Sequence, residues 1–418
     1  MNLRFLLVFF LLFAMWLNSF AQSGIPTMGV QDEIRQHLER GDLLIRKGIY
    51  EEAEIAYSNA IELDNGFADS YMKRAHLYRI LSRYQESIRD YNKALALNPY
   101  SEHIYDKRSK IKMLAMDYKG AVDDINKAIS LQPDNLELID HRIEEFIAIG
   151  AYEKALTDID TLIKYNYRKE NEFEKAALVF MLMGKYQKCA IALDSALEIN
   201  PNSSIAYDLR GLLYLQLEKY DLAIEAFDRA IAINSDFAIA YYNRAVAKRY
   251  NGDTQNAIDD LNKSVNINQN IKYVYFTRAL IRKETGDIVG ALDDYNKAVL
   301  VDSSYTDALY NRAFIYKFLG NYSNAMRDAE LIIDAEPNTE EYWNLKGNIH
   351  MMFGDHLQAI EAYTRAIRLD YDYAEAYYNR GLAYVMSQNP LPGCSDLQRS
   401  MDLDFKKSEL AYQNFCFR

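Results

Sequence analysis

Arginine and aspartate recur at fixed intervals along this chain, and their spacing is the first candidate for binding chemistry. An arginine or lysine stands at ten places in a 34-residue series, and in seven of them an aspartate follows 16 residues later. The bases are Arg40, Arg74, Arg108, Arg142, Arg210, Arg244, Arg278, Arg312, Lys346 and Arg380, and the acids are Asp90, Asp124, Asp158, Asp260, Asp294, Asp328 and Asp396. A row of guanidinium groups would suit phosphate or carboxylate ligands. We favour a ladder of structural ion pairs, because a pair in nearly every repeat suits stacking better than one ligand.

Residues suited to catalysis or metal binding are scattered. The six histidines are His37, His76, His103, His141, His350 and His356. The sequence has no His-Glu-x-x-His helix, no Gly-x-Ser-x-Gly turn, no phosphate-binding glycine loop and no cluster of cysteine ligands. His37, Asp42 and His76 could meet across two helices, but we do not expect a metal there. We therefore predict a protein that is not an enzyme and needs no cofactor.

The same 34-residue period defines the elements that must position these residues. It runs from Ile34 to Lys407 through eleven repeats, and positions below are counted within each repeat from Ile34. Position 20 is small in every repeat, from Ala53 to Gly393, as close helix packing requires. Glycine recurs at position 15, for example at Gly48 and Gly320, where a left-handed backbone would end a helix. Each repeat is predicted to be two antiparallel helices of about 14 residues.

These residues resemble the tetratricopeptide repeat: small side chains at positions 8, 20 and 27, an aromatic residue at position 24, and proline at position 32 in Pro99, Pro133, Pro201 and Pro337. The resemblance covers about nine tenths of the chain. It implies an all-α fold, a right-handed α-solenoid whose concave groove is lined by the first helix of each repeat and holds peptides. Members that clamp a terminal carboxylate carry lysine at position 5, which no repeat has here.

Four segments are predicted along the chain. Residues 1–21 combine Arg4, an apolar run from Phe5 to Leu17 and Ser19-Phe20-Ala21, which is typical of a cleaved export signal. Residues 22–33 would be a short linker, 34–407 the eleven repeats and 408–418 a capping helix. The apolar run is shorter than the roughly 20 residues that span a bilayer. We expect an exported, periplasmic protein without stable membrane insertion; the alternatives are an extracellular protein or one tethered by an uncleaved signal.

Large apolar side chains mark a candidate groove in the carboxyl-terminal half. At the inward positions of the first helices, repeats six to eleven carry aromatic, methionine and aliphatic residues, whereas repeats one to three carry mainly charged ones. The predicted partner-binding residues are Leu212, Tyr242, Val246, Tyr250, Tyr273, Phe276, Tyr310, Phe314, Phe318, Met351, Met352, Tyr378 and Met386. Such side chains are enriched at binding hot spots. Part of this set could instead be ordinary packing between helices.

Asparagine recurs behind these aromatic residues at position 6. Asn243, Asn311 and Asn379 each follow a tyrosine and precede an arginine. The resemblance implies that they could bind a peptide backbone. The alternative is that each is satisfied within the protein.

The three cysteines suggest one disulfide. Cys189 occupies the small position 20 of the fifth repeat and is predicted to be buried. Cys394 begins the last second helix and Cys416 ends the capping helix, so an antiparallel arrangement would bring them together in an oxidising compartment. Two separate thiols are the alternative.

The predicted function follows from charge and groove together. A net charge of -12 gives no basic surface for nucleic acid, so we expect protein or peptide partners. The favoured function is an exported scaffold that binds peptide segments of other proteins. The alternative is a non-enzymatic binding protein for a cell-wall glycan or another non-protein ligand.

Overall fold

The computed structural model describes residues 28–416, which are helical throughout apart from short connections. The predicted signal, residues 1–21, lies outside the described residues. The helices group into two compact units that divide after Pro201. The described part of the first, residues 28–201, is called the amino-terminal unit, and that of the second, residues 202–416, the carboxyl-terminal unit.

Five helix pairs build the amino-terminal unit. They are α1 (Met28–Arg46), α2 (Tyr50–Leu63), α3 (Ala68–Ile80), α4 (Tyr84–Leu97), α5 (Glu102–Leu114), α6 (Tyr118–Leu131), α7 (Leu136–Ala148), α8 (Tyr152–Lys164), α9 (Lys169–Leu182) and α10 (Tyr186–Ile199).

Six helix pairs and a final helix build the carboxyl-terminal unit. They are α11 (Ser204–Gln216), α12 (Tyr220–Ile233), α13 (Ala238–Tyr250), α14 (Thr254–Ile267), α15 (Lys272–Glu284), α16 (Ile288–Val301), α17 (Thr306–Phe318), α18 (Tyr322–Ala335), α19 (Glu340–Phe353), α20 (His356–Leu369), α21 (Ala374–Met386), α22 (Pro390–Asp402) and α23 (Lys407–Cys416). Odd-numbered helices up to α21 are the first helices of the repeats, and even-numbered helices are the second. The fold class is an all-α solenoid.

The turn between the two helices of a repeat is left-handed at position 15. The seven glycines predicted there all have positive φ, including Gly48 at 74° and Gly320 at 76°. Ser82, Met116, Glu218 and Gln388 take the same conformation in the remaining repeats, with φ between 57° and 63°. The turn is therefore present in all eleven repeats, although four of them use a residue that this conformation disfavours.

In several helix pairs, a glycine of the first helix packs against an aromatic residue of the second. At Gly211 in α11, an added Cβ atom would overlap the ring of Phe227 in α12. Gly41 with Tyr57 and Gly347 with Tyr363 repeat this contact between positions 8 and 24. The buried clusters follow from these contacts, and they run from one pair to the next within each unit.

The first helix begins earlier than the linker prediction allows. Helix α1 starts at Met28, whereas residues 22–33 were expected to form a linker before Ile34. Val30 packs against the buried cluster that contains Ile34 and Leu38, and these three residues lie four apart on one helix face. The prediction is thus wrong for residues 28–33, because this apolar face continues one turn ahead of the repeat.

Candidate functional site

The arginine row is a set of internal hydrogen bonds. In the eighth repeat, Arg278 Nε lies 2.9 Å from Asp294 Oδ2, and Arg278 Nη2 lies 2.6 Å from Asp294 Oδ1. The same two-bond pairing joins positions 7 and 23 in Arg74–Asp90, Arg108–Asp124, Arg142–Asp158, Arg244–Asp260, Arg312–Asp328 and Arg380–Asp396. Each pair joins the two helices of one repeat.

A third donor of each arginine connects consecutive repeats. Arg278 Nη1 donates to Asn262 Oδ1 at 2.7 Å, and Asn262 is position 25 of the preceding repeat. The corresponding acceptors for the other six arginines are Ser58, Asn92, Asn126, Asp228, Asn296 and Thr364. These seven arginines are therefore a structural ladder, and their donors are not available as an open anion-binding row.

Metal ligands do not converge in the described part of the chain. Within residues 28–416, no three His, Cys, Asp or Glu side chains form a cluster that could hold a metal ion. Asp42 instead accepts hydrogen bonds from Lys73 Nζ and Tyr57 OH, both at 2.7 Å. Although burial acts to raise it, these contacts lower the pKa of Asp42.

The aromatic residues at position 5 mainly fill contacts between helices. The Phe276 ring centroid lies 5.2 Å from that of Tyr305, and the Tyr310 centroid lies 5.6 Å from that of Tyr342. The Tyr378 centroid lies 5.2 Å from that of Phe405. Tyr242 packs against the cluster around Leu261. Packing therefore accounts for these four predicted groove residues.

Three aliphatic or methionine residues of the predicted groove are also partly buried. Leu212 packs against the cluster that contains Phe227, and Met351 packs against the cluster that contains Tyr363. Val246 is half-buried.

Six predicted groove residues are exposed. They are Tyr250, Tyr273, Phe314, Phe318, Met352 and Met386. Four of the six occupy position 13, the last or next-to-last residue of a first helix, in repeats 7, 9, 10 and 11. Tyr250 is 62% exposed, Phe318 71%, and Met352 and Met386 are 55% exposed each. We call these four residues the position-13 stripe.

A cavity in the amino-terminal unit shows which positions share a face. It has a volume of about 930 Å³, and its lining includes Arg46 and Leu114 at position 13, His76 at position 9 and His103 at position 2. Because the repeats are equivalent, positions 2, 9 and 13 of the carboxyl-terminal unit belong to the corresponding face of their own first helices. The exposed aromatic residues therefore lie on the face of their own helices that corresponds to the cavity lining in the amino-terminal unit.

The three position-6 asparagines have partners inside the protein. Asn243 Nδ2 donates to Asp208 Oδ1 at 2.9 Å, and Asn379 Nδ2 donates to Asn344 Oδ1 at 3.0 Å. Asn311 Nδ2 donates to the Asp307 carbonyl, and Lys283 Nζ donates to Asn311 Oδ1, both at 2.9 Å.

Position 5 of one repeat bonds position 6 of the next, a contact that our sequence reasoning missed. It appears as Asp106–His141, Asp140–Lys175, Asp208–Asn243 and Asn344–Asn379. Each pair is 35 residues apart, so a polar residue at position 5 followed by a donor 35 residues later was the available signal. Burial raises the pKa of Asp208 to about 6, although the hydrogen bond from Asn243 opposes this.

Family models match several of these repeats. A model described as TPR repeat matches residues 211–249 and 347–388. Two described as tetratricopeptide repeat match residues 68–101, and residues 238–271 and 306–339. The chain is a tetratricopeptide repeat protein. The family and the helical repeats support a protein-interaction scaffold as its general role.

Solved structures of similar fold include another tetratricopeptide repeat protein. That protein, from Parabacteroides merdae, matches 60% of this chain and 99% of its own length, with 18% identity and a TM-score of 0.51. MamA from Desulfovibrio magneticus RS-1 matches 40% of this chain and 94% of its own, with 18% identity and a TM-score of 0.38. Yeast Tom70 matches 92% and 95%, with 14% identity and a TM-score of 0.40. No curated protein matches the chain.

The last two helices of this tetratricopeptide repeat protein are joined covalently. Cys394 in α22 and Cys416 in α23 form a disulfide, with their Cα atoms 5.7 Å apart. Cys189 is a buried free thiol at position 20, and burial raises its pKa to about 11. Among residues 28–416, no helix has the length and apolar character needed to cross a membrane.

Proposed function

We propose that this protein is an exported scaffold that binds peptide segments of partner proteins on the first helices of its carboxyl-terminal unit. The observation that carries the proposal is the position-13 stripe, Tyr250, Phe318, Met352 and Met386. Large apolar side chains that stay in water in four repeats lose the free energy that burial would provide. A partner that covers them would recover it.

The distribution of the exposed side chains favours a peptide over a glycan. A glycan site would gather aromatic residues and hydrogen-bonding groups in one short cleft. Here the stripe extends over repeats 7 to 11, and Tyr273 and Phe314 lie on the same face between its members. An extended or helical peptide segment can contact several repeats in succession, so its apolar side chains can cover exposed residues in more than one repeat.

Two observations support export to the periplasm. The apolar run from Phe5 to Leu17, followed by Ser19-Phe20-Ala21, is typical of a cleaved signal. The Cys394–Cys416 disulfide would persist in an oxidising compartment. Cell fractionation with mass measurement of the mature chain tests this part of the proposal. We expect an envelope protein that lacks residues 1–21, and an intact cytoplasmic chain would contradict export.

The binding experiment compares two triple variants, each of which replaces three exposed apolar residues by serine. The test variant replaces Phe318, Met352 and Met386 by serine. The control variant replaces Val289, Leu357 and Leu391 by serine, because these residues are similarly exposed but lie on second helices. Peptides are selected from a displayed random library with the natural protein, and their affinities are measured by fluorescence anisotropy.

We expect the selected peptides to be apolar or amphipathic. The test variant should bind them at least about tenfold more weakly, since loss of one hot-spot residue costs about 2 kcal/mol. The control variant should bind them like the natural protein. Equal affinities for all three proteins, or an equal loss in both variants, would contradict the position-13 stripe as the binding surface.

A further inference from the structure

Two acidic residues occupy core positions of neighbouring repeats. Glu145 stands at position 10 of the fourth repeat, where the other ten repeats have leucine, isoleucine, valine or alanine. Glu172 stands at position 3 of the fifth repeat, where eight other repeats have a buried aliphatic or aromatic residue. Glu145 is only 5% exposed, and Glu172 has no exposed surface. Such positions favour the neutral form of a carboxyl group, because a buried charge is costly.

Glu145 makes polar a contact that is apolar elsewhere. Position 10 shares a buried cluster with position 8 of the preceding repeat, as Ile315 does with Ala279. In the fourth repeat, Ser109 Oγ of α5 donates a hydrogen bond to Glu145 Oε1 of α7. Within residues 28–416, Glu145 Oε2 has no hydrogen-bond partner. A hydrogen bond therefore replaces an aliphatic contact between α5 and α7.

Glu172 shares its nearest cation with another carboxylate. Lys175 Nζ lies 3.5 Å from Glu172 Oε1 and also donates to Asp140 Oδ1 of α7. The Nη1 atom of Arg168 lies 3.5 Å from Asp140 Oδ2. In the described part of the chain, Glu172 Oε2 has no hydrogen-bond partner. A charged Glu172 would therefore compete with Asp140 for Lys175, whose bond to Asp140 connects α7 to α9.

The charged groups around the two acids are mostly committed to other partners. Those that act on Glu145 and Glu172 are Asp106 and Lys110 of α5, Asp140 and His141 of α7, and Lys175 of α9. Asp106 contacts His141 Nδ1 at 2.8 Å and Lys110 Nζ at 3.3 Å. The buried acid of α8, Asp158, is paired with Arg142. Ionisation of both glutamates would thus leave buried charge without full compensation.

Burial raises the pKa of Glu145 and of Glu172 to about 7, although Ser109 opposes the first shift and Lys175 the second. Both groups are therefore neutral in the folded protein at mildly acidic pH. The stability of their surroundings is greatest below the ordinary pKa of 4.5 and falls as the pH rises through about 7.

The frame around these acids is weaker than in other repeats. The fifth repeat has Ala176 and Ala192 at positions 7 and 23, so α9 and α10 lack the arginine–aspartate pair of the structural ladder. The connection from α8 to α9 contains Asn166 with φ of 55° and Arg168 with φ of 38°, a conformation that disfavours residues other than glycine. Local opening is therefore resisted less here than in repeats that have the pair.

We propose that α7 and α9 form a pH-responsive joint, in which neutral Glu145 and Glu172 keep the fourth and fifth repeats packed and their ionisation opens this packing locally. Neutral acids fit the apolar positions that they occupy, whereas two carboxylates there repel a neighbouring Asp106 or Asp140. The joint lies in the amino-terminal unit and includes no residue of the position-13 stripe.

Hydrogen exchange of the intact chain, followed by mass spectrometry at pH 5.5 and pH 8, measures this opening. Labelling times are scaled to the intrinsic exchange rate at each pH. A carboxyl group whose pKa falls from about 7 to 4.5 on opening should make that opening at least about tenfold more frequent at pH 8. We expect at least that acceleration in α7 and α9. Helices α17 and α18 are the internal reference, since their buried Asp328 is paired with Arg312.

Three double variants assign the effect. Glu145→Gln with Glu172→Gln removes both titrations at similar shape, and Glu145→Leu with Glu172→Leu restores an apolar residue at both positions. The scaled exchange of α7 and α9 should then be the same at both pH values. Glu144→Gln with Glu153→Gln removes the same charge from exposed sites and should keep the natural response. Circular dichroism at pH 5.5 establishes that the variants are equally helical.

Equal scaled exchange of α7 and α9 at the two pH values in the natural protein would overturn the joint. So would a natural pH response that persists in the glutamine variant or, should that variant not fold, in the leucine variant. Because the position-13 stripe is untouched, all three variants should still bind the library peptides described above. Failure of the joint therefore leaves the proposed function intact.

Discussion

Arg278 and Asp294 join the two helices of the eighth repeat by two parallel hydrogen bonds, 2.9 and 2.6 Å long, and both side chains are buried. Arg282 Nη1 adds a third contact to Asp294 Oδ2 at 2.8 Å. The Asp294 carboxylate thus balances the positive charge of two guanidinium groups. A buried ion pair of this kind is costly to break, because removal of one charge leaves the other without compensation.

The substitution Asp294→Asn should therefore destabilise the carboxyl-terminal unit by about 3 kcal/mol. The amide keeps the shape of the side chain but presents N–H groups to two arginines. The matched control is Asp293→Asn, since Asp293 is the exposed neighbour that pairs with Lys297. We expect it to change stability by less than about 0.5 kcal/mol. Urea unfolding followed by circular dichroism measures both, and equal effects would contradict the ladder as a stabilising element.

A second prediction concerns the left-handed turn at position 15. Met116 has φ of 62° and is exposed, so its side chain contributes little packing. A non-glycine residue in this conformation costs roughly 1–2 kcal/mol, and glycine removes that cost. Glycine also makes the unfolded chain more flexible, which offsets part of the gain. Met116→Gly should therefore stabilise the chain by about 1 kcal/mol.

The reverse substitution, from glycine to alanine at position 15 of another repeat, tests whether the backbone angle alone changes the stability. Gly320 has φ of 76°, and nothing lies within 4 Å of an added Cβ atom. Gly320→Ala should therefore destabilise the chain by about 1 kcal/mol through the backbone alone. Thermal unfolding midpoints should move in opposite directions for the two variants; a shift of the same sign in both would exclude this explanation.

The sequence predicts the turn and the helix pair well because both depend on local requirements. Glycine at position 15 reflects a backbone angle that all eleven repeats adopt, and a small residue at position 8, such as Gly211 against Phe227, reflects a close contact that recurs in several repeats. Such requirements recur at the same place and become visible as a period. They are therefore recovered without any knowledge of tertiary contacts.

The candidate site is less predictable because its residues differ from repeat to repeat. The contact between positions 5 and 6 uses Asp106–His141 in one place and Asn344–Asn379 in another, so no residue type marks it. Aromatic residues at position 5, such as Phe276, are partly buried against neighbouring rings, whereas those at position 13 are largely exposed, and Tyr250 has one face stacked on Tyr220. Periodicity alone places both near the groove. Only the packing of the neighbouring repeat separates them.

The buried Glu145 predicts a specific pH dependence of stability. Its pKa is about 7 in the folded protein, raised from an ordinary value of 4.5 mainly by burial. Between these two values the folded chain holds a proton that the unfolded chain has released. The contribution of Glu145 to stability is therefore greatest below pH 4.5, falls as the pH rises to about 7 and remains low above that.

Replacement of Glu145 by glutamine removes this titration while keeping a similar shape. Glu145→Gln should be close to the natural protein in stability at pH 4 and more stable by about 2 kcal/mol at pH 8. Glu144→Gln is the control, because Glu144 is an exposed neighbour on the same helix and its replacement should leave the pH profile unchanged. Urea midpoints from pH 4 to 8 measure the difference. A constant difference between Glu145→Gln and the natural protein across this range would contradict the assignment.

The final prediction concerns the disulfide that attaches α23. Cys394 and Cys416 enclose a loop with a sequence separation of 22 residues. Around it, Ser408 Oγ lies 2.6 Å from Ser400 Oγ, and Ser400 Oγ donates to the Ala374 carbonyl at 2.7 Å. Loop closure of this length is worth about 3 kcal/mol. Since α23 covers the last repeat, the stabilisation should be concentrated at this end of the chain.

Replacement of both cysteines by serine should therefore loosen α23 first. The measurement is hydrogen exchange by mass spectrometry, with Cys189→Ala as the background so that no other thiol can form a mixed disulfide. We expect faster exchange in α21, α22 and α23 and unchanged exchange in α11 to α14. The Tyr378–Phe405 ring contact joins α21 to the short segment before α23. Addition of a reductant should reproduce this pattern in the background protein and change nothing in the double serine variant. Uniformly faster exchange across the carboxyl-terminal unit would show instead that the disulfide stabilises the whole unit, because the repeats would then unfold together rather than from the end.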